Sequence, residues 1–260
     1  DRPTVQARVI QPDGTVVFLD PSTLVEGAAS QDPTLLDDRR TATAPLPGLV
    51  VGSVIEETTT TVEREPFLGT GSTERLAVPS AYADAGHRRG VVDVDTGLSF
   101  DTELVDSELK LVSSRTRDTR GVSFYQAEPE RTAPERYLPS DVAPWPYLRV
   151  TTQGSWSEAG AAYHAMVAPV LDPEGLEPWI EKLRALPDDT ARIDAAYRIA
   201  RNELRYTGLE LGANAIVPYP PARALERGYG DCKDKAALMI TLLAAVGIEA
   251  RFGLLDSGFG

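Results

Sequence analysis

Gly230-Asp231-Cys232-Lys233-Asp234-Lys235-Ala236 holds the only cysteine of the chain, and its surroundings read as the start of a helix. Tyr229-Gly230 breaks the preceding segment, Asp231 is a residue type favoured at an N-cap, and an apolar run follows to Val246. A thiol in the first turn of a helix faces unpaired N–H groups and the positive end of the dipole, and both stabilise a thiolate. Lys233 and Lys235, two of the chain's four lysines, are opposed by Asp231 and Asp234, so the helix end carries the electrostatic argument. The spacing has a second reading. Cys232, Ala236, Met239 and Leu243 recur with the period of one helical face, which would make Cys232 the first residue of a core-facing stripe. Cysteine is among the residue types most often buried, so position alone leaves a nucleophile and a core thiol both open.

Upstream of this helix the pattern is helical as far back as Ser155. Ser155 or Ser157 is placed to cap a short helix through Met166 that carries His164, a residue expected to be structural. Leu176, Ile180 and Leu183 fit a second helix stopped by Pro187. Asp188 or Asp189 caps a longer one with Ile193, Tyr197, Ala200 and Leu204 expected on its inner face. Downstream, Glu249 to Leu255 reads as a strand.

Before residue 154 the period changes to two. Val5, Ala7 and Val9 alternate with polar residues, and Asp13-Gly14 is a hairpin turn type ahead of Thr15 to Leu19. Val50 to Val62 is rich in β-branched residues and fits a long strand better than a helix. Leu109 to Ser113 and Tyr147 to Thr151 complete the candidate strands. Pro129, Pro134, Pro139, Pro144 and Pro146 punctuate a loop that Trp145 and Tyr147 are expected to anchor. Short strands separated by turn signals predict an antiparallel, sandwich-like arrangement.

Tyr206 through Ala250 resembles the first half of a transglutaminase-like catalytic core, of the kind found in bacterial cysteine-protease relatives. The matching features are Leu204-Arg205-Tyr206 at a helix end, a Gly-rich loop to Pro218, and Pro220-Pro221-Ala222 opening a short helix. Gly-Tyr-Gly-Asp-Cys-Lys-Asp-Lys and Gly247-Ile248-Glu249-Ala250 complete them. The upstream half resembles the β-rich domain of unknown function DUF3857, through Gln11 to Val16, Pro47 to Glu56, and Ser155-Trp156. The fold expected is therefore α+β. A β-sandwich-like domain over residues 1–153 is followed, over 154–260, by the helical first half of a papain-like, transglutaminase-like core.

The resemblance implies that Cys232 is the nucleophile, that its own backbone N–H is a donor to the oxyanion, and that Asp231 is a helix cap. Tyr206 and Tyr229 are near enough in sequence to shape the site, and as bulky aromatics they are expected to pack. In this family a histidine and then an aspartate follow the cysteine on neighbouring strands. His87 and His164 both precede Cys232, and neither matches that position. The sequence starts at Asp1 and ends at Gly260, so the expectation is a fragment truncated at both ends whose general base lies further on. The activity implied is thiol-dependent acyl transfer at amide bonds by a Cys-His-Asp triad, most simply hydrolysis of a protein or peptide substrate. An amine-accepting cross-linking enzyme and a non-catalytic protein- or glycan-binding scaffold are the alternatives. The resemblance also favours a periplasmic or extracytoplasmic setting.

Composition narrows the remaining classes. Hydrophobic residues at 42% and charged residues at 25% are those of an ordinary globular protein. A formal net charge of −13 disfavours nucleic acid, whose binding rests on neutralising phosphates with Lys and Arg. Arg39-Arg40 and Arg88-Arg89 are short, isolated basic pairs that read as solvated surface. No stretch approaches the ~20 apolar residues of a membrane span. No Cys/His cluster has zinc spacing and no Gly-rich phosphate loop is present, so neither metal nor cofactor is expected. One cysteine excludes an internal disulfide.

Overall fold

The computed structural model describes residues 3–30, 32, 34–62, 69, 71–77, 86–105, 109–127, 137–139, 142–143, 146–152 and 154–254. They form two compact units, one of residues 1–64 with 165–252 and the other of residues 65–164 with 253–260.

The first unit opens with an antiparallel sheet. Strand β1 (Thr4–Ile10) pairs on one side with β2 (Val16–Phe18). The expected Asp13-Gly14 hairpin joins them: Thr15 N–H donates to Asp13 Oδ1 at 2.9 Å, and Gly14 takes φ of +87°. Strands β3 (Val25–Ala28), β4 (Leu35–Asp37) and β5 (Arg40–Thr43) follow, with β3 and β5 antiparallel. Strand β6 (Val54–Thr60) then covers the other side of β1, with Arg8 opposite Glu56 and their side chains 2.6 Å apart. The strand expected from Val50 starts at Val54. Val50 to Ser53 form a turn closed by Ser53 N–H on Val50 O, and Gly52 at φ +89° re-aims the chain.

The second unit is a small sandwich, as the alternation predicts. Strands β7 (Thr73–Ala77), β8 (His87–Asp95), β9 (Asp101–Val105), β10 (Val112–Arg115), β11 (Thr119–Ala127) and β12 (Tyr147–Thr151) form two antiparallel sheets. Their orders are β10-β11-β8 and β7-β12-β9. Val122 and Phe124 of one sheet meet Leu148 and Val150 of the other. Leu109 and Leu111, expected within a strand, precede β10 and pack against this core. Tyr147 is buried under the Arg75 guanidinium, whereas Trp145, Pro129, Pro134 and Pro144 lie outside the described residues. Phe124 pairs across the sheet with Gly90, and a Cβ at Gly90 would fall 2.3 Å from its ring. Helix α1 (Trp156–Val167) starts at a reciprocal cap. Glu158 N–H donates to Ser155 Oγ at 3.2 Å, and Ser155 N–H donates to Glu158 Oε2 at 2.6 Å. His164 is exposed on it.

The first unit resumes with α2 (Glu177–Arg184), α3 (Asp189–Asn202), β13 (Arg205–Tyr206), β14 (Gly208–Glu210), α4 (Pro221–Arg227), β15 (Tyr229–Gly230) and α5 (Cys232–Ala244). Leu176, Ile180, Leu183, Leu204, Leu238 and Leu242 make its core. Asp188 caps α3 through the Ala191 N–H at 2.8 Å. On the expected inner face of α3, Ala200 and Leu204 are buried, with Ala196 beside them, while Ile193 and Tyr197 are exposed. Helices α3 and α5 pack together where those alanines allow close approach, so the larger side chains fall to the flank. The strand expected from Glu249 does not form among the described residues. Ile248 and Ala250 pack against the helical core instead, after Gly247 at φ +81° ends α5.

The sandwich core yields a first prediction. Gly90→Ala should cost about 1–3 kcal/mol by overpacking against Phe124, read as a lower urea midpoint. An unchanged midpoint would contradict the packing described.

Candidate active site

Three short segments converge on Cys232. Strand β13 runs parallel to β15, with Tyr206 opposite Gly230, and Thr207 N–H donates to Gly230 O at 3.1 Å. This pairing fixes Tyr206 beside the start of α5. On the far side of Thr207, β14 reaches the same helix start with Leu209.

The helix start is a capping box built from two carboxylates. Asp231 accepts from Lys233 N–H at 3.1 Å and from Asp234 N–H at 3.5 Å, while Asp231 N–H donates to Asp234 Oδ2 at 3.3 Å. Asp231 Oδ2 also accepts from Leu209 N–H at 3.2 Å and pairs with the Lys233 ammonium, which donates to Leu209 O at 3.0 Å. Asp231 and Lys233 therefore neutralise each other, and the charges nearest the thiol balance as their order in the sequence implies.

Asp234 has no exposed surface. Its Oδ1 accepts from Tyr219 N–H and its Oδ2 from the Arg227 guanidinium, both at 2.8 Å. Burial pushes its carboxyl pKa upward, against the opposing pull of the Tyr219 N–H and the Arg227 charge. Arg227 is itself held over the rings of Tyr219, at 4.0 Å, and Tyr229, at 5.0 Å, so Tyr229 packs as expected. A Cβ at Gly230 would lie 2.7 Å from Asp234 Cβ, so glycine is required where the carboxylate tucks under the chain.

Cys232 is exposed, and it does not begin the core-facing stripe. The buried stripe of α5 runs through Asp234, Ala237, Leu238, Thr241 and Leu242, and Cys232 lies off it. The cap occupies the N–H groups of Lys233 and Asp234, and among the described residues no acceptor meets the N–H of Cys232. Tyr206, expected to pack, is instead largely exposed, with its phenol beside the thiol. Its phenol pKa is raised first by burial, then by the charges of Cys232 and Asp231, with a hydrogen bond to the Cys232 side chain adding to the shift. The phenol therefore keeps its proton, and remains a donor, to higher pH than an ordinary tyrosine.

Lys235 is no part of this chemistry. Its ammonium donates to Ala200 O, Arg201 O and Leu204 O at 2.6–3.2 Å and so closes the C-terminus of α3. Beyond it a groove of about 300 Å³ runs along α3 and α5, lined by Tyr197, Arg201, Ala236 and Met239. Arg227, Leu209 and the residues that support β14 were not singled out from the sequence. They act through backbone pairing and tertiary packing, which leave no local pattern.

The site is thus an exposed thiol at the first position of a capped helix, beside a tyrosine on a neighbouring strand, within an α+β fold. Two family models match parts of this chain. Residues 178–254 match the transglutaminase-like superfamily, and residues 1–128 match a domain of unknown function, DUF3857. The chain thus carries a DUF3857 region followed by a transglutaminase-like one. Its fold is similar to a crystal structure described as that of a "putative protease" from Parabacteroides distasonis ATCC 8503, with a TM-score of 0.67 and 18% sequence identity. That match covers 95% of this chain and 50% of the other, so the chain spans about half the length of that protein. Among curated proteins no match is found. No helix among the described residues is long and apolar enough to cross a membrane.

Three outcomes test this geometry. Asp234→Ala leaves Arg227 without its carboxylate and should cost about 3 kcal/mol of stability, read by chemical denaturation. In the difference between wild-type and Tyr206→Phe alkaline absorbance titrations, Tyr206 should ionise above the ordinary tyrosine value of ~10. Because the folded value is the higher one, this group's contribution to stability is complete below that pH and is lost as pH rises through the folded value. Cys232→Ala should move the Tyr206 titration back down, since it removes one of the charges that raise it.

Proposed function

We propose that Cys232 is the nucleophile of a thiol-dependent acyl transfer at amide bonds, with a protein or peptide as substrate. The observation that carries this reading is the combination at one point of an exposed thiol, an uncapped Cys232 N–H and the Tyr206 phenol. A thiolate attacks the carbonyl carbon, and the C–N bond of the amide breaks once the leaving amine receives a proton. On this reading the N–H of Cys232 and the phenol of Tyr206 would donate to the oxyanion, and loss of one such donor typically costs ~3 kcal/mol of transition-state stabilisation. A histidine takes and returns the proton and an aspartate orients it, completing a papain-like triad in the full protein. Water as the final acceptor gives peptidase or amidase hydrolysis. An amine in its place gives cross-linking.

The test is acylation of the folded chain by a peptidyl p-nitrophenyl ester, followed by intact mass, with Cys232→Ser as the blank. The expected result is one acyl group on Cys232, formed about tenfold or more slowly in Tyr206→Phe, in line with the loss of an oxyanion donor. Added methylamine then separates the two fates, because hydrolysis releases the acid and cross-linking releases the amide. A thiol that stays unacylated until the protein is unfolded would instead favour the binding-scaffold reading.

A further inference from the structure

We infer that Thr34–Arg39, far upstream of the cysteine, is a positioning element of the Cys232 site. It acts through the strand that holds the cap of α5.

Strand β14 is hydrogen-bonded on both edges. On one edge it runs parallel to β4, in the register Gly208↔Leu35, Leu209↔Leu36 and Glu210↔Asp37. Gly208 N–H donates to Thr34 O at 2.8 Å, and Asp38 N–H donates to Glu210 O at 3.3 Å. The contact extends past the strand. Asp38 Oδ2 accepts from Gly212 N–H at 2.7 Å, with Gly212 at φ +51°. Arg39 bridges Asp37, at 3.1 Å, and Glu210, at 3.0 Å.

On the opposite edge of β14 the partners are side chains of the candidate site. Alternation along a strand points the Leu209 N–H and C=O away from β4. They meet the Asp231 carboxylate and the Lys233 ammonium. Leu209 is itself buried, so these groups have no recourse to water. A two-sided strand of three residues is too short to hold its place alone. The β4 edge fixes β14, β14 fixes Asp231 and Lys233, and these set the first turn of α5 that carries Cys232. The region matched by DUF3857 thereby supplies a wall of the site without contributing a reacting group.

Tightness is visible at Gly208, where a Cβ would fall 2.8 Å from Leu35 Cδ1. A side chain there would displace the Leu35 side chain from its place over the pairing. As a statement about the cap, this inference stands on backbone geometry. As a statement about catalysis, it rests on the acyl-transfer reading above.

The experiment is amide hydrogen exchange on Asp38→Ala, Asp38→Asn and, as a control in the same unit, Arg8→Ala, each with the ester acylation rate of Cys232. Exchange at Leu209, Lys233 and Asp234 should rise about fivefold in Asp38→Ala, the change expected for one hydrogen bond of ordinary net strength. Acylation should slow by a similar factor. Asp38→Asn keeps an acceptor for the Gly212 N–H and should restore both, and Arg8→Ala should move neither. If Asp38→Ala does not fold, Arg39→Ala carries the same comparison by removing the bridge to Glu210. Unchanged exchange at those amides, or an equal rise in Arg8→Ala, overturns the inference. If wild-type Cys232 is never acylated, the acyl-transfer reading falls while the exchange arm still decides whether β4 positions the cap.

Discussion

Two carboxylates are buried at the start of one helix, and the order around Cys232 depends on keeping both satisfied. Asp231 and Asp234 hold each other's backbone N–H in the capping box, yet each also answers to a different part of the chain. Asp231 takes the Leu209 N–H and the Lys233 ammonium, and Asp234 takes the Tyr219 N–H and the Arg227 guanidinium. Desolvating an ionised carboxylate is expensive unless donors replace its water, so each of these contacts is required by the burial itself. The result is a helix N-terminus tied to strand β14, to the loop before α4 and to the end of α4. Cys232 is exposed, but the residues on both sides of it are fixed.

The helix start was legible because its signals are local. Asp231 as the cap, the break at Tyr229-Gly230 and the run that follows are written within a few residues, as are the Asp13-Gly14 hairpin and the Ser155 cap. Asp188 before α3 was equally readable. What periodicity alone did not resolve was which of two adjacent faces is buried. Cys232-Ala236-Met239-Leu243 and Asp234-Ala237-Thr241 both recur at helical spacing; of the first only Leu243 is fully buried, whereas the second is buried throughout, with Asp234 against Arg227 and Tyr219. On α3 the expected face is buried only in part: Ala200 and Leu204 are covered, with Ala196 beside them, and Ile193 and Tyr197 are exposed. Close helix crossings select for size ahead of hydrophobicity. The partners of Leu209 had no signal at all, because a side chain accepting from a distant backbone N–H leaves no pattern in either segment.

The two family matches are consecutive in sequence, 1–128 and 178–254, but the packing is not divided that way. Residues 1–64 share a compact unit with residues 165–252, and the β4–β14 pairing is one seam between them. Across this seam β14 is held with Leu209 beside Asp231. Tyr206 is set by β13–β15, Leu209 by β4–β14, and the single residue Thr207 separates the two strands. The three residues of β14 are thus held on one edge by β4 and on the other by side chains at the start of α5.

The parallel seam has a consequence for how the chain folds. Asp38 and Gly212 are hydrogen-bonded across a separation of 174 residues. Closing a loop costs entropy before any contact repays it, and pairings of such high sequence separation slow folding. During synthesis Thr34–Arg39 leaves the ribosome long before Gly208–Glu210 exists, and the β4 edge waits unpaired. A chain interrupted before residue 208 lacks the partner that closes β4, whereas a completed one joins its own beginning to the cysteine helix in a single step of registry.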